Sequence, residues 1–202
     1  CADSTTFSVT LTATNTVSLN GAYDISTATY VQNFSVASQE TSPRGMRFNS
    51  DGSKMFVVGQ SKYVYEYNLT TSFDISTVNY AGNAERFYVG NEEAAPLGMA
   101  FNNDGTKMYI IGMSGDEVNE YSLTTAFDIS TASFTQLFSV VAQEKSPTGM
   151  AFNNDGTKMY VVGNTGKDVN EYVLSTGFDV STAAYSQVFS VIYQESSPSG
   201  IV

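Results

Sequence analysis

The sequence contains no histidine, no tryptophan, one cysteine and four prolines, and only 14% of its residues are charged. Each shortage excludes something. Without histidine the commonest general base and the commonest metal ligand are missing, so no histidine-containing triad or Cys/His metal cluster can be written. With Cys1 alone, no intrachain disulfide can form. No apolar run approaches the roughly 20 residues that a helix needs to cross a membrane. Cations are scarce as well: nine Lys and Arg stand against twenty Asp and Glu, a net charge of −11. An acidic surface repels phosphate backbones, which argues against a nucleic-acid partner.

What is abundant is Ser, Thr, Asn, Gly, Tyr and Phe, the composition of a turn-rich β protein. At 202 residues the chain is long enough to bury a real core. Its most informative stretch runs from Gly149 to Gly163. An apolar run, Met150 to Phe152, leads into Asn153-Asn154-Asp155-Gly156, and a second apolar run, Met159 to Val162, leaves it. Asp-Gly between two such runs predicts a hairpin, because Gly accepts the positive φ of a tight turn.

The stretch repeats. Gly98 to Tyr109 matches Gly149 to Tyr160 residue for residue, and Gly45 to Phe56 (GMRFNSDGSKMF) is a close variant. The hairpin glycines Gly52, Gly105 and Gly156 lie 53 and 51 residues apart. Aromatic-Asp pairs (Tyr23-Asp24, Phe73-Asp74, Phe127-Asp128, Phe178-Asp179) and prolines two residues before a glycine (Pro43, Pro96, Pro147, Pro198) keep the same period, with a small insertion around Ala81 to Asn83. Each unit reads as four strands, placed in one unit at Gly98 to Phe101, Lys107 to Ile111, Val118 to Leu123 and Leu137 to Val141. The second is apolar on both faces, which suits a strand between two neighbouring sheets, and the third on one face only. Four antiparallel strands per repeat at this period predict an all-β propeller.

The Pro-x-Gly-Met-Ala-Phe-x-x-Asp-Gly-Thr-Lys-Met-Tyr-Val-Val-Gly text, followed by Val-x-Glu-Tyr-x-Leu, resembles the YVTN-type propeller repeats of bacterial and archaeal surface proteins, which are related in shape to NHL and WD-repeat propellers. The Phe-Asp-Ile-Ser-Thr-Ala-Ser segments are similar to repeats of environmental bacterial and phage-encoded propellers. The resemblance covers nearly everything from Val17 onward. Cys1 resembles the lipid-bearing first residue of a processed bacterial lipoprotein, which implies a lipid anchor there.

The expectation is one propeller domain of four blades if the chain is complete, with units at about 1–44 plus 200–202, 45–97, 98–148 and 149–199. One blade is split between the termini, and Ile201 and Val202 pair with a strand carrying Phe7, Val9 and Leu11. Closure of this kind removes exposed sheet edges. The alternatives are an excerpt of a longer array, or a filament in which a neighbouring molecule completes the split blade.

Site chemistry is sparse. The Asn-Asn-Asp-Gly turns lack the ligand number and distal acid of a calcium loop and read as structural. Asp24, Asp74, Asp128 and Asp179, each followed two residues on by Ser-Thr, read as turn formers that satisfy local backbone N–H groups, with a repeated cation site as the alternative. The repeated tyrosines Tyr67, Tyr121 and Tyr172 read as packing between blades, with sugar stacking as the alternative. The sharpest site is a set of loop carboxylates, Glu40, Glu93, Glu144 and Glu195. Each precedes an innermost strand, so the four are expected to converge on one axial mouth and recruit a cation, calcium being the ion implied. No cofactor motif or catalytic constellation is present, and no single acid/base pair stands out. The expected function is therefore a non-enzymatic structural or adhesive module, extracellular, at the cell surface or virion-associated. It would meet protein, glycan or its own copies. A filament or virion-fibre subunit, a sugar- or cation-binding propeller, and a propeller hydrolase or lyase using carboxylate or metal chemistry are the alternatives.

Overall fold

The computed structural model describes residues 28–201. The chain divides into two units, Cys1–Gln32 and Asn33–Val202. Residues 28–32 of the first have no regular structure, and every described strand belongs to the second. Cys1, Phe7, Val9, Leu11 and Val202 lie outside the described residues.

The second unit is built of propeller blades. Blade 1 comprises β1 (Pro43–Phe48), β2 (Lys54–Gly59), β3 (Tyr63–Leu69) and an outer strand broken into β4 (Val78–Tyr80) and β5 (Arg86–Tyr88), both paired with β3. Blade 2 runs β6 (Pro96–Phe101), β7 (Lys107–Gly112), β8 (Glu117–Leu123), β9 (Ala132–Ser139), and blade 3 runs β10 (Pro147–Phe152), β11 (Lys158–Gly163), β12 (Asp168–Leu174), β13 (Ala183–Ser190). All neighbouring pairs are antiparallel. The outer strand of blade 2 begins at Ala132 rather than Leu137. A register shift between Glu120 and Tyr121 sets Phe134 opposite Tyr121 and Gln136 opposite Glu120. That bulge interrupts the side-chain alternation and hides the first half of the strand from a period-two reading.

The hairpin turns form for local reasons. Asn102 Oδ1 accepts the Lys107 N–H at 3.0 Å and Asp104 Oδ1 accepts the Thr106 N–H at 2.9 Å, while Gly105 takes φ 73°. A Cβ on Gly105 would also collide with the Phe127 ring. The Phe-Asp pairs act next to these turns: Asp74, Asp128 and Asp179 each accept the N–H two residues on and cap a single 3-10 turn.

The core lies between blades. Phe56, Val58 and Val64 of blade 1 pack with Met99, Met108, Ile110 and Tyr121 of blade 2. Tyr109, Ile111 and Val118 of blade 2 pack with Met150, Met159, Val161 and Tyr172 of blade 3. Met55 and Val57 face the other side of blade 1, so the second strand is sandwiched as its text implies. The third strand is buried on both faces, not one, because its glutamate is neutralised: Lys54–Glu66 at 2.6 Å and Lys107–Glu120 at 2.8 Å. The same lysines reach across the seam, Lys54 Nζ to Phe127 O at 2.9 Å and Lys107 Nζ to Phe178 O at 2.8 Å. Lys158–Glu171, at 3.2 Å, is more exposed.

Glu40, Glu93 and Glu144 are buried staples. Glu144 accepts N–H groups from Ser146 at 2.7 Å, Thr165 at 3.0 Å and Gly166 at 2.9 Å. It thereby ties the loop entering β10 to the β11–β12 turn. Glu93 accepts from Ala95, Ser114 and Gly115, and Glu40 from Ser42 and Ser61. Glu195 is exposed, and among the described residues it accepts the Ser197 N–H, at 2.8 Å.

Two predictions follow from this burial. Glu144→Ala removes a buried acceptor from three part-buried N–H donors and is expected to lower the melting temperature by about 3–8 °C, whereas Glu195→Ala shifts it by about 1–2 °C at most. Differential scanning calorimetry of the two variants makes the comparison. The second concerns alkali. Burial, then the charges of Tyr80, Tyr65 and Glu40, push the Tyr67 phenol from 10.0 up to about 12, and burial raises Tyr121 and Tyr172 in the same direction. The unfolded chain ionises these phenols first. Stability is therefore complete below about pH 10 and declines as pH rises through about 12. Melting temperature against pH is expected to be flat up to pH 9 and to fall above pH 10.

Candidate functional site

The site lies on the axis, where innermost strands meet. A Cβ on Gly45 would sit 2.9 Å from Leu97 O, one on Gly98 3.3 Å from Gly149 Cα, and one on Gly149 3.1 Å from Gly200 Cα. Residues 198–201 thus run beside β10, where Thr148 Oγ1 donates to Pro198 O at 2.8 Å. Only glycine permits backbones this close.

Two residues beyond each strand glycine the repeat has Ala100 and Ala151, but in β1 it has Arg47. The Arg47 guanidinium crosses the axis. Nη2 donates to Ile201 O at 3.0 Å and Met150 O at 3.4 Å, and Nη1 to Met46 O at 3.3 Å. These bonds do not use all five guanidinium donors. No carboxylate among the described residues pairs with Arg47. Burial alone pushes its pKa down, and an arginine so placed keeps its charge.

Arg47 lines two cavities. The larger, about 560 Å³, lies at the hairpin-turn end among Phe48, Phe101 and Phe152 and is rimmed by Ser50, Asn102, Asn103, Asn153 and Asn154. Its aromatic floor is braced by the Phe-Asp pairs: Phe48–Phe73, Phe101–Phe127 and Phe152–Phe178 all have ring centroids 5.4 Å apart. The smaller, about 310 Å³, continues along the axis between Arg44, Leu97, Thr148 and Ser199. Among the described residues no Asp or Glu lines either cavity. Two of the chain's three arginines do. The axis is therefore a locally positive channel in an acidic protein. A low-dielectric wall strengthens the field of such a charge on an entering anion.

The axial mouth expected to carry acids carries none among the described residues. Glu40, Glu93 and Glu144 are drawn away by the backbone donors described above, and Glu195 faces solvent, so the structure brings none of them together at the axis. Tyr67, Tyr121 and Tyr172 are fully buried and hydrogen-bond Gln39, Glu92 and Gln143. They present no face for a sugar. Arg47 escaped the sequence reading, although the signal was in plain text: GMRF stands where the other units read GMAF.

The chain matches no protein-family model, and no curated protein matches it in sequence. Among solved structures it is similar in fold to a candidate 6-phosphogluconolactonase from Bacteroides fragilis, with 16% identity over 73% of this chain and 41% of that one, and a TM-score of 0.53. It is similar also to hydrazine synthase of Kuenenia stuttgartiensis, with 16% identity over 85% of this chain and 42% of that one, and a TM-score of 0.53. The WD40 repeats of RRP9 match with 12% identity over 74% and 38% of the two chains, and a TM-score of 0.51. The chain spans about two-fifths of the length of each. These likenesses establish the propeller fold. They also correct the expectation of a non-enzymatic protein: chains named as candidate 6-phosphogluconolactonases, here and from Bacteroides uniformis, share the fold.

Arg47→Ala places at the axis the residue that two other blades already carry there. The variant is expected to fold with a stability within about 1 kcal/mol of the parent, as urea denaturation will show.

Proposed function

We propose that the protein binds a small anionic, hydroxyl-bearing ligand of the sugar-acid or sugar-phosphate class at the axial mouth. The observation that carries this reading is Arg47, a half-buried cation that lines two cavities and has, among the described residues, neither a carboxylate partner nor an acid beside it in those cavities. The asparagine rim offers donors and acceptors to hydroxyls, and the phenylalanine floor suits the apolar face of a sugar ring. The names of the two Bacteroides fold neighbours belong to the same ligand class and suggest a probe. A surface or extracellular setting of the YVTN kind would give such a module its place. The adhesive and filament readings have no comparable observation behind them.

Isothermal titration with 6-phosphogluconate, gluconate, inorganic phosphate and glucose tests the reading. The anionic sugars are expected to bind once per chain and glucose not to bind. Arg47→Ala is expected to weaken binding at least about 10-fold, and salt to weaken it in the parent. Equal binding by the variant, or no binding of any of the three anions, overturns the proposal.

A further inference from the structure

The seam between blades 1 and 2 differs in charge from the seam between blades 2 and 3 beside the third and outer strands. In the second seam an amide joins two carboxylates. Gln136 Nε2 donates to Glu120 Oε2 at 3.0 Å and to Asp179 Oδ1 at 2.8 Å. The Val180 N–H adds a bond to Glu120 Oε2 at 3.1 Å, and Lys107 holds Oε1 at 2.8 Å. Every buried oxygen there has a donor.

In the first seam Glu85 stands where the amide should be. The register settles the equivalence: Asn119 pairs with Leu137, and Tyr65 pairs with Arg86, so the residues just before them, Gln136 and Glu85, lie across from Glu120 and Glu66. The inserted residues around Ala81 to Asn83 are absorbed by a 3-10 turn, Asn83–Glu85, that delivers Glu85 to this place. The sequence has Gln32, Gln136 and Gln187 at this position in its other units.

The exchange removes a donor and adds a negative charge. Glu66, Glu85 and Asp128 each offer an oxygen within 4.8 Å of the others. Glu66 is 2% exposed. Its Oε1 is held by Lys54 at 2.6 Å, but its Oε2 is buried with no hydrogen-bond partner. The Ile129 N–H is near enough to favour the charged form, yet makes no bond that satisfies Oε2, and burial raises the Glu66 pKa against it. A buried orphan oxygen on a carboxylate that stands close to two others is unfavourable unless a cation completes it.

We propose that Glu66, Glu85 and Asp128 bind one calcium ion that joins blade 1 to blade 2. The charges fit: three carboxylates and the Lys54 ammonium leave two negative charges. The donors are all hard oxygens on side chains of differing reach, which suits the flexible shell of calcium, completed by water, better than the strict octahedron of magnesium. None of the three residues lines the axial cavities, so this site is independent of the proposed ligand site.

The test uses the full 202-residue chain, stripped with EDTA and titrated with calcium alone. Titration is expected to give one ion per chain with a dissociation constant on the order of 10⁻⁴ M. At a 100-fold excess over that constant the melting temperature should rise by about 5–10 °C. Glu85→Gln installs the residue that already works at Gln136. It is expected to fold, to bind calcium at least about 10-fold more weakly, and to melt above the parent in EDTA. Absence of calcium binding by the parent overturns the proposal, as does undiminished affinity in Glu85→Gln. So does a parent that is stabilised by lowering the pH from 7 to 5 and is indifferent to calcium, since a proton would then be filling the gap.

Discussion

Backbone crowding on the axis governs this molecule. Gly45, Gly98 and Gly149 bring successive innermost strands to within van der Waals contact, and any side chain there would strike a neighbouring backbone. Two residues further along the space is still narrow, and Ala100 and Ala151 respect it. Arg47 crosses this space, and the small residues Ala100 and Ala151 of blades 2 and 3 make room for its guanidinium. The asymmetry of the site is thus a consequence of packing in a nearly symmetric frame.

Elsewhere the repeats solve the same problem in the same way. Each blade buries a third-strand glutamate by giving it a lysine, and in the two described seams that lysine also crosses to the next blade's carbonyl. In the Lys107–Glu120 pair the remaining carboxylate oxygen finds donors in Gln136 and the Val180 N–H, which makes its burial tolerable. The chemistry of interest sits where the text departs from the repeat: Arg47 for alanine on the axis, and Glu85 for glutamine at a seam. Both changes put a charge where the sister units have none, and a charge in a confined place needs a counterpart from outside.

The architecture was legible because its signals are local. Asp-Gly turns, the doubly apolar second strand and the Phe-Asp-x-Ser caps each act within a few residues of themselves. The outer strand was partly lost because the bulge at Glu120–Tyr121 breaks the period. The loop glutamates were misplaced for another reason. Their donors, such as Thr165 for Glu144, come from a turn 21 residues away, and nothing in a loop acid's own neighbourhood reveals such partners. Arg47 and Glu85 were visible as letters, but reading the units for their agreement concealed the differences that carry function.

With three arginines in the chain, side-chain spectra of a ¹⁵N-arginine-labelled sample isolate the central claim. Titration with 6-phosphogluconate is predicted to move and sharpen the Arg47 Nε resonance, assigned by its loss in Arg47→Ala, and to leave that of Arg86 in place. An Arg47 resonance that stays fixed while the ligand saturates the protein would contradict the account and place binding elsewhere.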